Sequence, residues 1–310
     1  MKYDKMLMLL TLVAAGLAAG CSDDEDPLKD WTGPSKPGTE IKTPAEVGNR
    51  VVAHRGGSTE AGTRQFPDNS VAALNYAIGL GCYASECDIY LTKDDDVVVA
   101  HASAGCYINN LKPWEHTLAE LRAAGTLANG EQLPSLPDFL AVVGTTRLWL
   151  DVKNITIDGK STEEGREASA RACERACEII EEMGAQNFCE FIVTGNATKI
   201  SSSSPVTIWQ RSLAAAGAVG SNAGWMSFRN PADYISYGYP WANLSTENLY
   251  FEGKTVNKNG YSVQKFLDAG LKLSVYNADL DVDMDYYLAY KDKLYAICTN
   301  YPRKLLGKWN

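Results

Sequence analysis

Val51-Val52-Ala53-His54-Arg55-Gly56-Gly57 is the first of three short stretches that decide how this chain folds; the others are Ala84-Ser85-Glu86-Cys87-Asp88-Ile89-Tyr90-Leu91 and Asp96-Val97-Val98-Val99-Ala100-His101. All three read as strands, with Val and Ile prominent in them. The first carries His54 and the third ends at His101, while the second holds Glu86 and Asp88 at i, i+2. That spacing projects both carboxylates to one face of a strand, where they would point together at one bound ion. Oxygen ligands for a hard cation, an arginine for phosphate and histidines for proton transfer make a set suited to phosphate-ester chemistry.

Working outward, strand and helix signals alternate. Strands are expected at 51–54, 85–90, 97–101, 147–152, 189–193, 206–209, 239–244, 271–275 and 294–298. Helices are expected at 69–80, 163–183, 261–269 and 302–307, with another starting near Thr117. The first follows Pro67-Asp68-Asn69-Ser70, a cluster of good capping residues. The 163–183 segment places Ala168, Ala172, Ala176, Ile179 and Met183 on one face and stops at Gly184, a natural C-cap. Alternation over about 250 residues favours a parallel sheet, and the length suits one (β/α)8 barrel of the TIM type over residues 50–310. Gly217 to Pro231 reads mostly as loop.

The chain has 310 residues, 45% hydrophobic and 22% charged, as a folded globular protein should. A net charge of −9 with no basic stripe in the sequence argues against a nucleic-acid binder. Lys2 and Lys5 precede an apolar stretch, Met6 to Gly16, which is too short to span a bilayer comfortably and has the layout of a signal peptide. Leu17-Ala18-Ala19-Gly20-Cys21 resembles a bacterial lipoprotein processing site. That resemblance implies that residues 1–20 are removed, that Cys21 is acylated, and that the protein is anchored in a bacterial outer membrane, facing the periplasm or the cell surface. Ser22 to Glu25 resembles a surface-export signal of Bacteroidetes lipoproteins and reads equally as a solvated tether. Residues 21–49, with Pro27, Pro34, Pro37 and Pro44 and no hydrophobic period, read as the spacer.

Apart from Cys21 there are seven cysteines, at 82, 87, 106, 173, 177, 189 and 298, so at least one stays unpaired. Cys173 and Cys177 have helical spacing but no matching Cys/His pair follows them, so they read as small buried side chains.

In a barrel the chemistry gathers at the C-terminal ends of the strands. His54 ends the first strand and Arg55 opens the loop after it, Glu86 and Asp88 lie near the end of the second, and His101 ends the extra strand. Asp151 and Lys153 close Trp149-Leu150-Asp151-Val152-Lys153, again at i, i+2. These seven residues would converge on one mouth. The chain here resembles the glycerophosphodiester phosphodiesterase family. VVAHRGG resembles that family's opening strand, and FPDNSVAALNYAIGLGC its Pro-Glu-Asn-Thr segment and first helix. ECDIYLTKDDDVVVAH, LPSLPDFL, KLSVYNA and YAICTNYPRKLL resemble its later segments in order.

The resemblance implies a metal-dependent barrel enzyme that cleaves glycerophosphodiesters to glycerol phosphate and an alcohol. Carried over by position, Glu86, Asp88 and Asp151 would hold one divalent cation, His54 and His101 would be the acid–base pair, and Arg55 and Lys153 would bind phosphate or steer the ligands. Tyr276 stands where the family often has tryptophan and would offer an aromatic wall. Asp68 and Asp151 replace family glutamates, each shorter by roughly 1.5 Å; a calcium shell tolerates that better than a magnesium shell, which favours Ca²⁺ over Mg²⁺. Ala102 replaces a common aspartate. Two rival readings are a phospholipase C- or D-type enzyme acting on intact lipid and a surface lipoprotein that binds phosphodiesters or glycans without hydrolysing them. His116 reads as a surface or capping residue. The chain holds no G-x-S-x-G elbow and no phosphate-cradling G-x-x-x-x-G-K-[ST] loop.

Overall fold

Runs rich in β-branched residues pack well on a pleated surface, and here they form the staves of a closed barrel. The computed structural model describes residues 43–101, 108–160, 162–194, 208–226, 228–250 and 261–309. In chain order the strands are β1 Val51–Ala53, β2 Ala84–Leu91, β3 Val97–Val99, β4 Arg147–Val152, β5 Cys189–Val193, β6 Asn222–Trp225, β7 Trp241–Ser245, β8 Lys272–Tyr276 and β9 Ala296–Thr299. Around them lie α1 Val71–Gly79, α2 Leu118–Ala123, α3 Leu136–Val142, α4 Glu163–Glu182, α5 Ile208–Ala218, α6 Pro231–Ser236, α7 Val263–Asp268, α8 Asp281–Leu288 and α9 Pro302–Trp309. Eight strands run parallel, and β1 closes the ring by pairing with both β2 and β9. The exception is β3, which folds back antiparallel on the far end of β2 with Val99 opposite Ile89. This is the (β/α)8 barrel that the alternation predicts.

The helices begin where the sequence supplies acceptors for their free N–H groups. Ser70 caps α1 by accepting from Ala73 N, Thr162 caps α4 through Gly165 N, and Thr117 with Glu120 forms a capping box on α2. The α4 helix ends before Gly184, whose φ of 62° suits glycine. Inside the barrel, Val52, Ala84, Trp149, Ile192, Trp241, Ala296 and Cys298 form one buried cluster. The Trp149 and Trp241 rings meet edge to face at 4.7 Å. Burial of each such side chain contributes about 2–3 kcal/mol.

Two expectations fail. A strand at 206–209 is overturned: residues 208 onward belong to α5, while 206 and 207 lie outside the described residues. Pro205-Val206-Thr207-Ile208 looks extended by propensity, but α5 is fixed by packing on α4. Ser212 and Ala216 are fully buried, and the Arg211 Nε donates to Glu174 Oε1 at 2.8 Å. Burial against a neighbour outweighs local preference. Gly217–Pro231 holds the end of α5, the strand β6 and the start of α6, so about half of it, rather than most, is loop. Gly224 hides that strand from a propensity reading, yet a Cβ there would lie 2.4 Å from Trp241 Cδ2.

The expected spacer also ends earlier than Asn49. Pro44 is buried, Ala45 N donates to Thr145 O at 2.9 Å, and Gly48 O accepts from Trp309 Nε1 at 3.0 Å. These residues are irregular, but they lie against the end of the barrel where the strands begin. The expected signal peptide, Cys21 and the rest of the spacer lie outside the described residues, as do Ala102 and Cys106. Among the described residues the six cysteines are free and buried, including Cys173 and Cys177, and no helix is long and apolar enough to cross a membrane.

Candidate active site

The β2–β4 register sets the site. Asp88 stands opposite Asp151 and Glu86 opposite Trp149, and alternation turns these side chains inward together. One oxygen each from Glu86, Asp88 and Asp151 lies within 4.8 Å of the others. The three residues are 4%, 1% and 5% exposed, so water does little to screen them. Burial, then the charges of Asp88 and Asp151, pushes the Glu86 carboxyl well above its ordinary value. Burial also raises Asp151, against the pull of Lys153. Asp88 goes the other way: burial pushes it up, but Lys153, Arg55 and His101 outweigh that and hold it low.

The cations come from the neighbouring strand ends. Arg55 sits in a tight turn with a left-handed φ of 54°, a conformation that costs an ordinary residue roughly 1–2 kcal/mol. The turn aims its backbone N–H at Glu86 Oε2, 2.9 Å away, and its Nε at Asp88 Oδ2, 3.0 Å away. Gly56 is required beside it, since a Cβ there would lie 2.4 Å from the Ala73 Cβ on α1. Lys153 Nζ bridges Asp151 Oδ2 at 3.0 Å and Asp88 Oδ1 at 3.2 Å. Its burial disfavours the charge, but the two aspartates prevail and hold it above its ordinary value.

Three carboxyl groups face two cations in a buried place, and the mutual repulsion is part of what raises Glu86 and Asp151. The donors are all hard oxygens. Cys298 borders the same cavity, but burial holds its thiol well up and protonated, so it offers no thiolate to a soft metal. The residues present therefore fit a hard divalent cation.

His54 opens the turn after β1. Its Nδ1 lies 2.8 Å from Asn300 Oδ1. Asn300 Nδ2 donates to Asp279 Oδ2 at 2.6 Å, and Asn300 N donates to Asp279 Oδ1 at 2.8 Å. That leaves the Asn300 Oδ1 as the acceptor, so Nδ1 of His54 carries the proton. Its Nε2 keeps a lone pair on the side of Glu86, with Oε2 3.9 Å away. Burial, then Arg55, lowers the His54 pKa to about 4. His101 follows β3 and is likewise lowered to about 4, by burial and the charges of Arg55 and Lys153 against Asp88. Both imidazoles are neutral near pH 7.

A cavity of about 270 Å³ brings most of these groups together, while Asp88 and His101 are not among the residues that line it. His54, Arg55, Glu86, Asp151 and Lys153 border it, with Trp149, Ile192, Met226, Asn243, Tyr276, Asn277 and Cys298 forming the rest of the wall. Two larger cavities, about 370 and 350 Å³, lie at the opposite end of the barrel and share none of these residues; size alone does not mark the chemistry.

Sequence reasoning missed three positioning residues. Asn69, with φ 59° and 2% exposed, donates from Nδ2 to Asp88 Oδ2 at 2.9 Å and accepts from Asp88 N at 3.2 Å. Its signal lies in Pro67-Asp68-Asn69-Ser70, which reads as a cap and as a resemblance to the family's Pro-Glu-Asn-Thr segment, with no role for Asn69 itself. Asn300 and Asp279 left no local signal. Asp68 stands outside the carboxylate trio: its Oδ1 accepts from Arg64 Nε at 2.9 Å, and its Oδ2 is 3.7 Å from Arg55 Nη1. His116 ends a short turn, its Nδ1 3.1 Å from Lys112 O, as a capping residue would.

A glycerophosphodiester phosphodiesterase of Caldanaerobacter subterraneus subsp. tengcongensis is 31% identical over 102 residues, 30% of this chain and 40% of that protein. The chain spans less than half the length of the curated relatives it matches, 40% and 49%. Among solved structures, a glycerophosphodiester phosphodiesterase from Parabacteroides distasonis superposes with a TM-score of 0.63 at 18% identity, covering 86% of this chain and 98% of that one. An Oleispira antarctica phosphodiesterase in complex with the product sn-glycerol-3-phosphate gives a TM-score of 0.56 at 18% identity, covering 83% and 95%. Both likenesses show the barrel. A family model matches residues 54–304, and the chain belongs to the glycerophosphoryl diester phosphodiesterase family.

Proposed function

We propose that this protein hydrolyses glycerophosphodiesters to glycerol phosphate and an alcohol with the help of one divalent cation. The observation that carries the reading is the gathering of His54, Arg55, Glu86, Asp151 and Lys153 around one cavity, with Asp88 completing a carboxylate trio beside it. A cation held by that trio would polarise the phosphoryl oxygens and offset the charge that builds on them. Arg55 and Lys153 add fixed positive charge at the same place, in a setting where little water competes. The Nε2 lone pair of His54 is placed to take a proton from the attacking oxygen, either water or the neighbouring hydroxyl of the glycerol. The Asn300–Asp279 relay holds the ring while it does so. His101 gives a proton to the departing alkoxide. It is held neutral partly by Arg55 and Lys153, so the negative charge of a bound diester, by offsetting those two cations, restores its affinity for a proton. Tyr276 walls the cavity beside the organic part of the substrate.

We assign Ca²⁺ over Mg²⁺ to the site. Lys153 already takes one oxygen of Asp151 and one of Asp88, and the looser geometry of calcium accommodates such a short, shared ligand set. On the strength of the lipoprotein-like Leu17–Cys21 sequence, we also propose that the protein is acylated at Cys21 and held on an outer membrane, facing the periplasm or the cell surface. The test is turnover of a panel of glycerophosphodiesters with Ca²⁺, Mg²⁺ or a chelator. Activity should depend on the cation, and His54→Ala or His101→Ala should lower it by about 10²–10⁴. Near-normal turnover in both histidine variants would rule the mechanism out.

A further inference from the structure

The end of the barrel away from the catalytic cavity carries charge of the opposite sign. Two cavities there share Arg50 and Tyr295. Seven charged side chains border them: Arg50, Arg147, Lys272, Lys291 and Lys293 on one side of the balance, Asp292 and Glu190 on the other. Glu190 is turned inward and occupied by Trp149 Nε1 at 2.7 Å and Asn222 Nδ2 at 2.8 Å. The outward balance is therefore basic, in a chain whose net charge is −9.

Aromatic rings hold several of these cations in place. The Arg50 and Arg147 guanidinium groups lie 4.5 and 4.6 Å from the Tyr83 ring centre, and Lys272 Nζ lies 4.8 Å from that of Tyr295. Arg147 pairs with Glu46 at 3.2 Å. Arg50, Lys272 and Lys293 form no ion pair among the described residues. Lys272 and Lys293 are exposed. Residues 44–49 pack on this same face, where Gly48 meets Trp309, so the chain that precedes them joins the barrel here.

We propose that this basic face docks on the anionic lipid headgroups of the bilayer that carries the protein, with the catalytic mouth turned to the water. The proposal rests on the membrane anchoring proposed above and adds an orientation to it. Three features support it: the cations that form no ion pair among the described residues, the point at which the N-terminal segment joins the barrel, and the parallel strands, which place the catalytic residues at the other end. It also sharpens the substrate class, because a mouth facing away from the lipid surface takes water-soluble glycerophosphodiesters rather than lipids embedded in the same membrane.

The test uses the full chain with Cys21→Ser, which cannot be acylated at that position. It is mixed with vesicles of phosphatidylglycerol in phosphatidylcholine and with pure phosphatidylcholine, and co-sedimentation is measured at low and high salt. The anionic vesicles should be preferred at low salt, and high salt should erase the preference. Each cation near an anionic surface strengthens binding about fivefold, so Lys272→Glu with Lys293→Glu should cut the preference at least tenfold. The milder Lys272→Gln with Lys293→Gln should fall between, and both should turn over glycerophosphocholine like the parent. Equal partition of the parent into both vesicles, or a preference unchanged in the Glu pair, would overturn the proposal. So would competition by inorganic phosphate at concentrations that leave ionic strength unchanged, since that marks a free-phosphate site instead. A chain that keeps the vesicle preference but hydrolyses nothing would separate this proposal from the catalytic one.

Discussion

Glu86 on β2 and Glu190 on β5 both point into the barrel, 4% and 7% exposed, and their surroundings are opposite. Glu190 accepts from Trp149 Nε1, Asn222 Nδ2 and the Tyr295 hydroxyl. Glu86 accepts from the backbone of Arg55 and faces two further carboxylates. A buried acid whose lone pairs are filled by protein donors ties strands together. One left among like charges keeps capacity for a ligand, at a cost to the stability of the unliganded protein. One barrel thus holds a structural layer where its strands begin and a chemical layer where they end.

The contrast breaks most sharply if Glu86→Gln behaves like a structural loss. The amide keeps an acceptor for Arg55 N but removes one charge from the trio. Turnover should fall by about 10²–10³ or more. The melting temperature in chelator should rise or hold, and the rise that Ca²⁺ brings to the parent should vanish. A drop in chelator stability of several degrees would mean that Glu86 belongs to the structural class.

Next in size is the relay behind His54. Asn300→Ala removes the acceptor that fixes the imidazole, and Asp279→Asn removes the group that fixes Asn300. Each should lower kcat about 10–100-fold while leaving KM and the Ca²⁺-induced melting shift in place. Loss of the Ca²⁺ shift in either variant would place the pair in cation binding instead. A third expectation concerns the structural layer. Glu190→Gln sets three donors against a single carbonyl oxygen, so unfolding should be easier by about 1–3 kcal/mol, seen as a lower denaturant midpoint with turnover unchanged.

The chemical layer was more legible in the sequence than the structural one. Glu86, Asp88, Asp151 and Lys153 announce themselves because i, i+2 spacing on a β-branched run fixes a shared face before any tertiary contact is known. The strands β2 and β4 are readable for the same reason. By contrast, β6 is short and carries Gly224, kept bare by the Trp241 ring of the next strand. The α5 helix looks extended at its start and is decided by α4. Asn300 meets His54 across 246 residues of sequence, a separation over which no local pattern carries information. Asn69 falls between these cases: its position was visible, but its bond to Asp88 depends on the left-handed turn that only the folded chain reveals.

Asp68 gives the smallest effect and the finest distinction. By resemblance it stands at a family glutamate, which would suggest a part in the acidic site. Its geometry says otherwise: the close partner is Arg64, and Arg55 is 3.7 Å away. The Arg64 side chain is 41% exposed, so water partly screens that pair. Arg55 is held chiefly by Asp88 and by its own backbone bond to Glu86. Asp68→Asn should therefore lower kcat/KM by no more than about fivefold, with the Ca²⁺-induced melting shift intact. A loss as large as that of Glu86→Gln would bring Asp68 into the chemical layer, and the shorter side chain at this position would then reach the cation through a movement of the turn that carries Arg55.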